Sequence, residues 1–315
     1  MTHDPLALVP IVLAVALDLA CGDPPNRFHP VAWIGSGLIN ARRRLPTRGR
    51  LLPLLCGALL MGMGLVVVMA LGDGIARGLA QMPRPLALAA EAILLKSLFS
   101  IRGLALAAKS VAQALSRGDL AGARALASWH LVGRPTENLD VPLVVAAAIE
   151  SVAENANDSI VAPLFYYGLG GLSGILAYRL INTADSVLGH RDPEREWLGK
   201  VPARLDDLAN LIPARLTALM IILAAPSAGG HSSQAFGIWW RDSRRTASPN
   251  AGHPMSAAAG ALDVELEKVG AYRLGEGLRP PEVADISRSV RLLSATIGLA
   301  LIPIGVIRLL LAKPV

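Results

Sequence analysis

Hydrophobic residues in this chain occur in long runs that are separated by short polar stretches. Residues 51–71 carry no charge, and residues 290–312 are apolar except near their ends. A helix that crosses the hydrocarbon core of a bilayer needs about 20 such residues. The pattern predicts an all-α, polytopic integral membrane protein with helical cytoplasmic loops. Its candidate spans are residues 5–21, 51–71, 86–101, 160–181, 211–226 and 290–312.

Composition and charge agree with a membrane location. Apolar residues make up 53% of the 315 residues and charged residues only 17%, whereas a soluble domain carries roughly 25% charged residues. Most of the net charge of +6 comes from arginines between residues 22 and 50, which indicates a cytoplasmic loop rather than nucleic-acid binding. We expect one membrane-embedded domain over residues 1–315. The loops expected to share the cytoplasmic face are residues 22–50, 116–159, 182–210 and 227–289.

Acidic residues cluster at two places in this charge-poor chain. Glu150, Glu154 and Asp158 are spaced i, i+4, i+8 and would share one face of a helix. Three carboxylates on one stripe repel each other unless a cation neutralises them, and Mg²⁺ prefers such oxygens. The alternative is a solvated helix face whose acids pair with arginines. The second acidic cluster is the adjacent pair Asp206 and Asp207. Together, the predicted metal ligands are Glu150, Glu154, Asp158, Asp206 and Asp207.

Basic and amide side chains form further candidate sites. Three arginines, at 241, 244 and 245, precede a turn-forming stretch that contains Asn250 and His253. Guanidinium groups bind phosphate oxygens bidentately, so this stretch predicts a phosphate site, with a solvated basic loop as the alternative. Arg204 and Asp207 have the i, i+3 spacing of an ordinary helical ion pair. The sequence contains neither a phosphate-binding glycine loop of the G-x-x-x-x-G-K-[ST] type nor an H-E-x-x-H zinc motif.

Six stretches with distinctive polar or proline residues follow one another along nearly the whole chain. They are Asp18 to Pro24 with His29-Pro30-Val31; Glu150 to Asn155 with Asp158; Ala162 to Phe165; Tyr178-Arg179 with Asn182-Thr183 and Asp185-Ser186; Ala203 to Asp207 with Asn210 and Pro213 to Leu216; and Ser248 to Pro254. Together and in this order they resemble the adenosylcobinamide-phosphate synthase family of cobalamin biosynthesis.

The resemblance implies an ATP-dependent acid–amine ligase that joins adenosylcobyric acid to (R)-1-amino-2-propanol or its O-phosphate. It implies Mg²⁺, a site facing the cytoplasm in the inner membrane of a bacterium, and a possible complex with other membrane enzymes of the corrinoid pathway. The residues assigned to catalysis are Glu150, Glu154, Asp206, Asp207 and His253, with His253 or an acid as general base. Those assigned to substrate or phosphate binding are Arg179, Asn182, Arg204, Asn210, Arg215, Arg241, Arg244, Arg245 and Asn250.

Two other functions remain open at the level of the sequence. The first is a secondary transporter in which Glu150 and Glu154 are proton or cation sites, although the sequence shows no inverted repeat of the kind common in such proteins. The second is a non-catalytic membrane anchor for a complex of corrinoid-pathway enzymes. ATP-dependent amide formation by the purified protein distinguishes the enzyme from both.

Overall fold

The structure, a computed structural model, describes residues 5–132, 136–189 and 196–312. It is helical almost throughout, which confirms the all-α prediction. A short antiparallel hairpin of β1 (Leu266–Lys268) and β2 (Tyr272–Leu274) was not predicted. The α-helices are α1 (Val9–Cys21), α2 (Pro30–Arg44), α3 (Leu51–Leu79), α4 (Arg84–Lys96), α5 (Ile101–Ser116), α6 (Leu120–Ala127), α7 (Val141–Asn155), α8 (Ala162–Leu188), α9 (Glu196–Ala209), α10 (Leu211–Ala224), α11 (Ser232–Asp242), α12 (Gly252–Leu262) and α13 (Val283–Leu311).

Within the described residues, four helical segments are long and apolar enough to cross a membrane. They are Leu51–Leu79, Val141–Leu188, Leu211–Ala228 and Val283–Leu311. Residues 6–21 form a shorter apolar helix. The candidate span at 86–101 is not among the four, because α4 ends at Lys96 after 13 residues, fewer than the roughly 17–25 of a crossing helix.

The chain packs as two compact units, each built from separate stretches of sequence. Unit 1 comprises residues 1–100, 162–210 and 304–315, and unit 2 comprises residues 101–161 and 211–303, as far as these are described. The single membrane-embedded domain over residues 1–315 stays a prediction.

Helix α3 is a long candidate span of unit 1 with an exposed apolar surface. Several of its large apolar side chains are more than half exposed, among them Met63 and Val66, as expected for a helix that faces hydrocarbon rather than water. Its other face packs closely on its neighbours. A side chain at Gly57 would collide with the backbone carbonyl of Leu198 on α9. The core beside it is formed by Leu38, Met61, Leu180, Ala184, Leu188 and Leu198.

Helix α8 reverses direction at a pair of glycines. Gly171 has φ 59° and ψ −143°, a backbone conformation that disfavours any residue with a side chain. The ring of Tyr178 stacks on that of Tyr166 with 5.2 Å between centroids, although twelve residues of straight helix would separate them by about 18 Å. Residues 162–170 and 172–188 are therefore the two legs of a helical hairpin. The predicted single span at 160–181 is not one straight helix.

Unit 2 is organised around α12, whose eleven residues are all buried. Small residues dominate this helix, and a side chain at Gly252 would collide with the backbone oxygen of Ser243, at the end of α11. Helix α7 continues directly into a π-helical turn at Ala156–Val161, hereafter the π turn. Such turns insert an extra residue into a helix and occur frequently at functional sites. Here the π turn contains the end of the predicted acidic stripe.

Candidate functional site

In unit 1 the carboxylate of Asp206 lies at the centre of an amide network, which we call the Asp206 cluster (Tyr178, Asn182, Asp206 and Asn210). Asn182 Nδ2 donates to Oδ1 of Asp206 at 3.3 Å, and Asn210 Nδ2 donates to Oδ2 at 3.0 Å. The hydroxyl of Tyr178 donates to Oδ1 of Asn210 at 3.1 Å. Three of the four had been assigned from the sequence, and the structure brings them together. Tyr178 had only been part of the family motif.

A second group in unit 1, which we call the Asp23 cluster (Asp23, His29, Lys96 and Ser100), was not among the predicted site residues. Lys96 is 8% exposed, and its ammonium lies 3.5 Å from Oδ1 of Asp23, whose other oxygen accepts a hydrogen bond from Ser100. Burial lowers the pKa of His29, as do the positive charges of Arg179 and Lys96, while Asp23 opposes them. The charge of Lys96 within an apolar run was the sequence signal for this cluster.

A cavity of about 530 Å³ adjoins the Asp23 cluster and is lined by Asp23, Lys96, Phe28 and Trp33 together with aliphatic residues. Arg179 is buried, its positive charge acts on His29 of this cluster, and its Nε donates to the backbone oxygen of Leu98. The arginine predicted to bind substrate is therefore held by the backbone that precedes α5.

In unit 2 the three acids of the predicted stripe differ in burial. Glu150 is 4% exposed on α7, whereas Glu154 and Asp158 are half-buried on either side of the start of the π turn. Asp158 Oδ1 accepts a hydrogen bond from Asn157 Nδ2 at 2.7 Å, and Thr217 donates to the other end of that amide at 3.1 Å. Across the described residues, no group of three or more histidine, cysteine, aspartate or glutamate side chains is placed to hold a metal ion.

Basic and polar groups converge at the start of α12, and we call this set the Arg215 cluster (Arg215, Arg244, Asn250 and His253). Arg215 Nη1 donates to the backbone oxygen of Leu211 at 2.7 Å and to Asn250 Oδ1 at 3.3 Å. Burial lowers the pKa of His253 to about 4, and the nearby charges of Arg215 and Arg244 act in the same direction. Within the described residues, the exposed Arg244 makes no ion pair or hydrogen bond.

The turn before α12 is set by Ser248. Its hydroxyl oxygen accepts hydrogen bonds from the backbone N–H groups of Asn250, at 3.2 Å, and Ala251, at 3.3 Å. Serine forms such local turns because its side chain can replace a backbone acceptor. The turn ends at Gly252, where the absence of a side chain lets α12 begin against the end of α11. Asn250 therefore lies in the turn and His253 in the first turn of α12, with the His253 N–H donating to the backbone oxygen of Asn250.

The other two predicted arginines are engaged in structural ion pairs. Arg241 donates two hydrogen bonds to the fully buried carboxylate of Asp242, from Nε at 2.8 Å and from Nη2 at 2.7 Å. Arg245 lies 3.1 Å from the same carboxylate and 2.8 Å from Glu276. These contacts hold α11 against the segment that follows the β-hairpin. Of the three arginines predicted to bind phosphate here, only the guanidinium of Arg244 makes no ion pair or hydrogen bond within the described chain.

Comparison with known proteins identifies the family. The family model described as CobD/Cbib protein matches residues 11–293. The chain belongs to the CobD/Cbib family. It is 42% identical over 305 residues to the cobalamin biosynthesis protein CobD of Dehalococcoides mccartyi, covering 95% of this chain and 97% of that protein. It is 38% identical to the Klebsiella pneumoniae protein of the same name, with coverage of 94% and 96%. No solved structure matches.

Membership of the CobD/Cbib family confirms the resemblance that the motifs indicated. Of the predicted site residues in this family member, Arg204 makes the ordinary helical pair with Asp207 at 3.2 Å, and its side chain is 73% exposed. The acids at 150, 154 and 158 lie in unit 2, and those at 206 and 207 lie in unit 1. Their assignment as one metal site stays a prediction.

Proposed function

We propose that this CobD/Cbib family member joins adenosylcobyric acid to (R)-1-amino-2-propanol or its O-phosphate in an ATP-dependent step of cobalamin biosynthesis. The names of its relatives support the pathway. The observation that carries the proposal is the Arg215 cluster, where two guanidinium groups and a buried imidazole converge on the start of a helix. Such a set suits the phosphoryl oxygens that an ATP-dependent ligase must bind.

The chemistry explains why phosphate binding is needed. A carboxylate has no usable leaving group, so a carboxylate oxygen first attacks the γ-phosphorus of ATP and ADP leaves. The amine nitrogen then attacks the acyl carbon of the resulting acyl phosphate, and phosphate leaves as the amide forms. Arg215 and Arg244 are proposed to orient these phosphoryl oxygens and offset their charge.

The acidic residues fit a magnesium ion that arrives with ATP better than a stand-alone metal cage. Mg²⁺ usually keeps several waters and takes one or two carboxylates together with substrate phosphates. The half-buried Glu154 and Asp158, about one turn apart at the π turn, can supply two such oxygens, whereas no larger cluster exists among the described residues. Bound there, Mg²⁺ would neutralise charge on the phosphate oxygens.

The amine must also lose a proton before it attacks, since an ammonium has no lone pair. We propose that a carboxylate accepts this proton. Among the predicted catalytic acids, the half-buried ones are Glu154 in unit 2 and Asp206 and Asp207 in unit 1, and Glu154 can accept the proton only if Asp158 alone holds Mg²⁺. Asp207 is less suited because Arg204 holds its carboxylate.

The test is a reconstitution of the full chain in lipid nanodiscs. We expect ADP release and a new amide, identified by mass spectrometry, only when Mg-ATP, adenosylcobyric acid and one of the two amines are all present. Comparing aminopropanol with its phosphate then identifies the amine. Absence of amide with both amines would refute the proposal. Corrinoid or cation uptake into proteoliposomes without ATP would favour a transporter, and recruitment of another pathway enzyme without either activity would favour an anchor.

A further inference from the structure

Trp239 on α11 makes a directional contact with His253 on α12. The indole Nε1–H donates to Nδ1 of His253 at 2.9 Å, and the two ring centroids are 5.9 Å apart. An indole nitrogen can only donate, so Nδ1 must be the nitrogen without a proton. In a neutral imidazole the proton then sits on Nε2.

The surroundings of His253 favour that neutral form. Its side chain is 6% exposed, and the nearest charges that affect it are the cations Arg215 and Arg244. Burial and these charges lower the pKa of His253 to about 4, so an imidazolium does not form at neutral pH. Within the described residues, Nε2 has no hydrogen-bond partner. A neutral N–H donor beside two cations is suited to an anionic oxygen.

We infer that His253 donates its Nε2–H to a phosphate oxygen, and that Trp239 is the positioning residue that fixes the tautomer in which it can do so. The role toward phosphate rests on the proposed function, whereas the tautomer does not. In this arrangement His253 has no free lone pair, because Nδ1 is occupied by Trp239 and Nε2 carries the proton. It therefore does not serve as the general base that the sequence allowed it to be.

The tautomer is tested by solid-state NMR of the full chain labelled with [¹⁵N]histidine in lipid bilayers at pH 7. We expect the histidine signal that is lost in His253→Gln to show a bare Nδ1 and a protonated Nε2 with no admixture of the other tautomer. Trp239→Phe keeps an aromatic ring but removes the donor, so the signal should change to a mixture of tautomers. Trp240→Phe is the matched control, since Trp240 is 76% exposed and makes no hydrogen bond within the described chain. A protonated Nδ1 in the native protein would overturn the inference.

The donor role is tested by substitutions that place a nitrogen donor differently. The side-chain amide of His253→Gln puts N–H near the position of Nε2 but cannot accept a proton as a base, whereas His253→Asn puts it near Nδ1. We expect kcat/KM for amide formation to stay within about tenfold of native in the glutamine variant. It should fall about 10²-fold in the asparagine and alanine variants, the loss typical of one missing transition-state donor. Trp239→Phe should lose about fivefold, and Trp240→Phe should lose nothing.

The outcomes separate the inference from the proposed function. If His253→Gln is as inactive as His253→Ala while native protein is active, His253 is a base and the inference fails. If the native protein makes no amide, the proposed function fails, and the donor role is then judged by adding ATP and inorganic phosphate to the labelled protein. A shift of the Nε2 signal in the native protein that is absent in Arg244→Ala would support the donor role. An unchanged signal would overturn it.

Discussion

Removing the charge of Asp242 is expected to destabilise unit 2. This carboxylate is fully buried and accepts hydrogen bonds from both ends of the Arg241 guanidinium and from the backbone N–H of Gly275 at 2.7 Å, while Arg245 lies 3.1 Å away. These hydrogen bonds and charges keep the pKa of Asp242 below its usual value, although burial alone would raise it. Asp242→Asn retains the size but turns an amide N–H₂ toward donors that need an acceptor.

The magnitude follows from the exposure of the partners. Removing one member of a buried ion pair costs ~3–5 kcal/mol when the remaining charge stays desolvated. Here the side chains of Arg241 and Arg245 are 45% and 40% exposed, so water can solvate them when the carboxylate is lost. We therefore expect about 2–3 kcal/mol. At roughly 2–4 °C per kcal/mol, the melting temperature should fall by about 4–12 °C.

The assay is thermal unfolding of the detergent-solubilised protein, followed by ATP-dependent amide formation on the same preparations. Arg244→Ala is the matched control, because Arg244 is exposed and unpaired within the described residues. It should change the melting temperature little and raise the KM for ATP or the phosphorylated amine. Arg245→Ala should instead lower stability. A melting temperature for Asp242→Asn equal to that of the native protein would refute the structural role of this network, as would an Arg244→Ala variant destabilised to the same degree.

Three further outcomes are expected. The pKa of His253 is 6.5 in the unfolded chain and about 4 in the folded protein. The contribution of the neutral imidazole to the stability of the folded protein is therefore fully present above pH 6.5 and is lost as the pH falls toward 4. Between pH 7 and pH 5 the native protein should therefore lose about 2 kcal/mol more free energy of unfolding than His253→Gln. The larger loss should be visible as a larger fall in melting temperature. Asp206→Asn should lose turnover at least tenfold and about 1–2 kcal/mol of stability, since its amide keeps one acceptor oxygen but turns an N–H₂ toward one of the two amide donors. Asp207→Asn should lose no more than ~0.5 kcal/mol of stability, and equal behaviour of the two variants would contradict the Asp206 cluster. In a cysteine-free background, cysteines at Leu45 and Lys200 should both react with an impermeant maleimide only in inside-out vesicles, and labelling of Lys200 from the outside alone would contradict a shared cytoplasmic face.

Composition predicts spans well where a helix simply faces lipid. The charge-free run 51–71 lies within α3 because hydrocarbon on one side requires apolar side chains whatever the helix packs against. The run 160–181 is nearly as apolar, yet its helix reverses at Gly171. The number of apolar residues in a run does not show whether the helix continues straight or reverses direction. The adjacent glycines at 170 and 171 were the local signal for a break in the helix.

The site was predictable by residue type but not by partner. Arg241, Arg244 and Arg245 have the same chemistry in the sequence, and the structure separates them because Arg241 and Arg245 contact Glu276 and Arg245 also contacts the β-hairpin, about 30 residues away. Asn182 and Asp206 were named from the sequence in separate roles, and the hydrogen bond between them arises because α8 packs on α9. Lys96 was overlooked because its partner, Asp23, precedes it by more than 70 residues.

The π turn at Ala156–Val161 also fixes the number of residues that this segment of the chain must contain. Each residue of an α-helix turns the chain by about 100°, and a π turn carries one residue more than the α-helical path it replaces. Deleting a single codon between Glu154 and Asp158 would replace the π turn by regular α-helix and reduce the spacing of the two acids from four residues to three. Glu154 and Asp158 stand on opposite sides of the start of this turn, so their relative orientation depends on residue number as well as residue type. In a scan of the whole gene, we expect this segment to tolerate many conservative substitutions and no single-codon deletion.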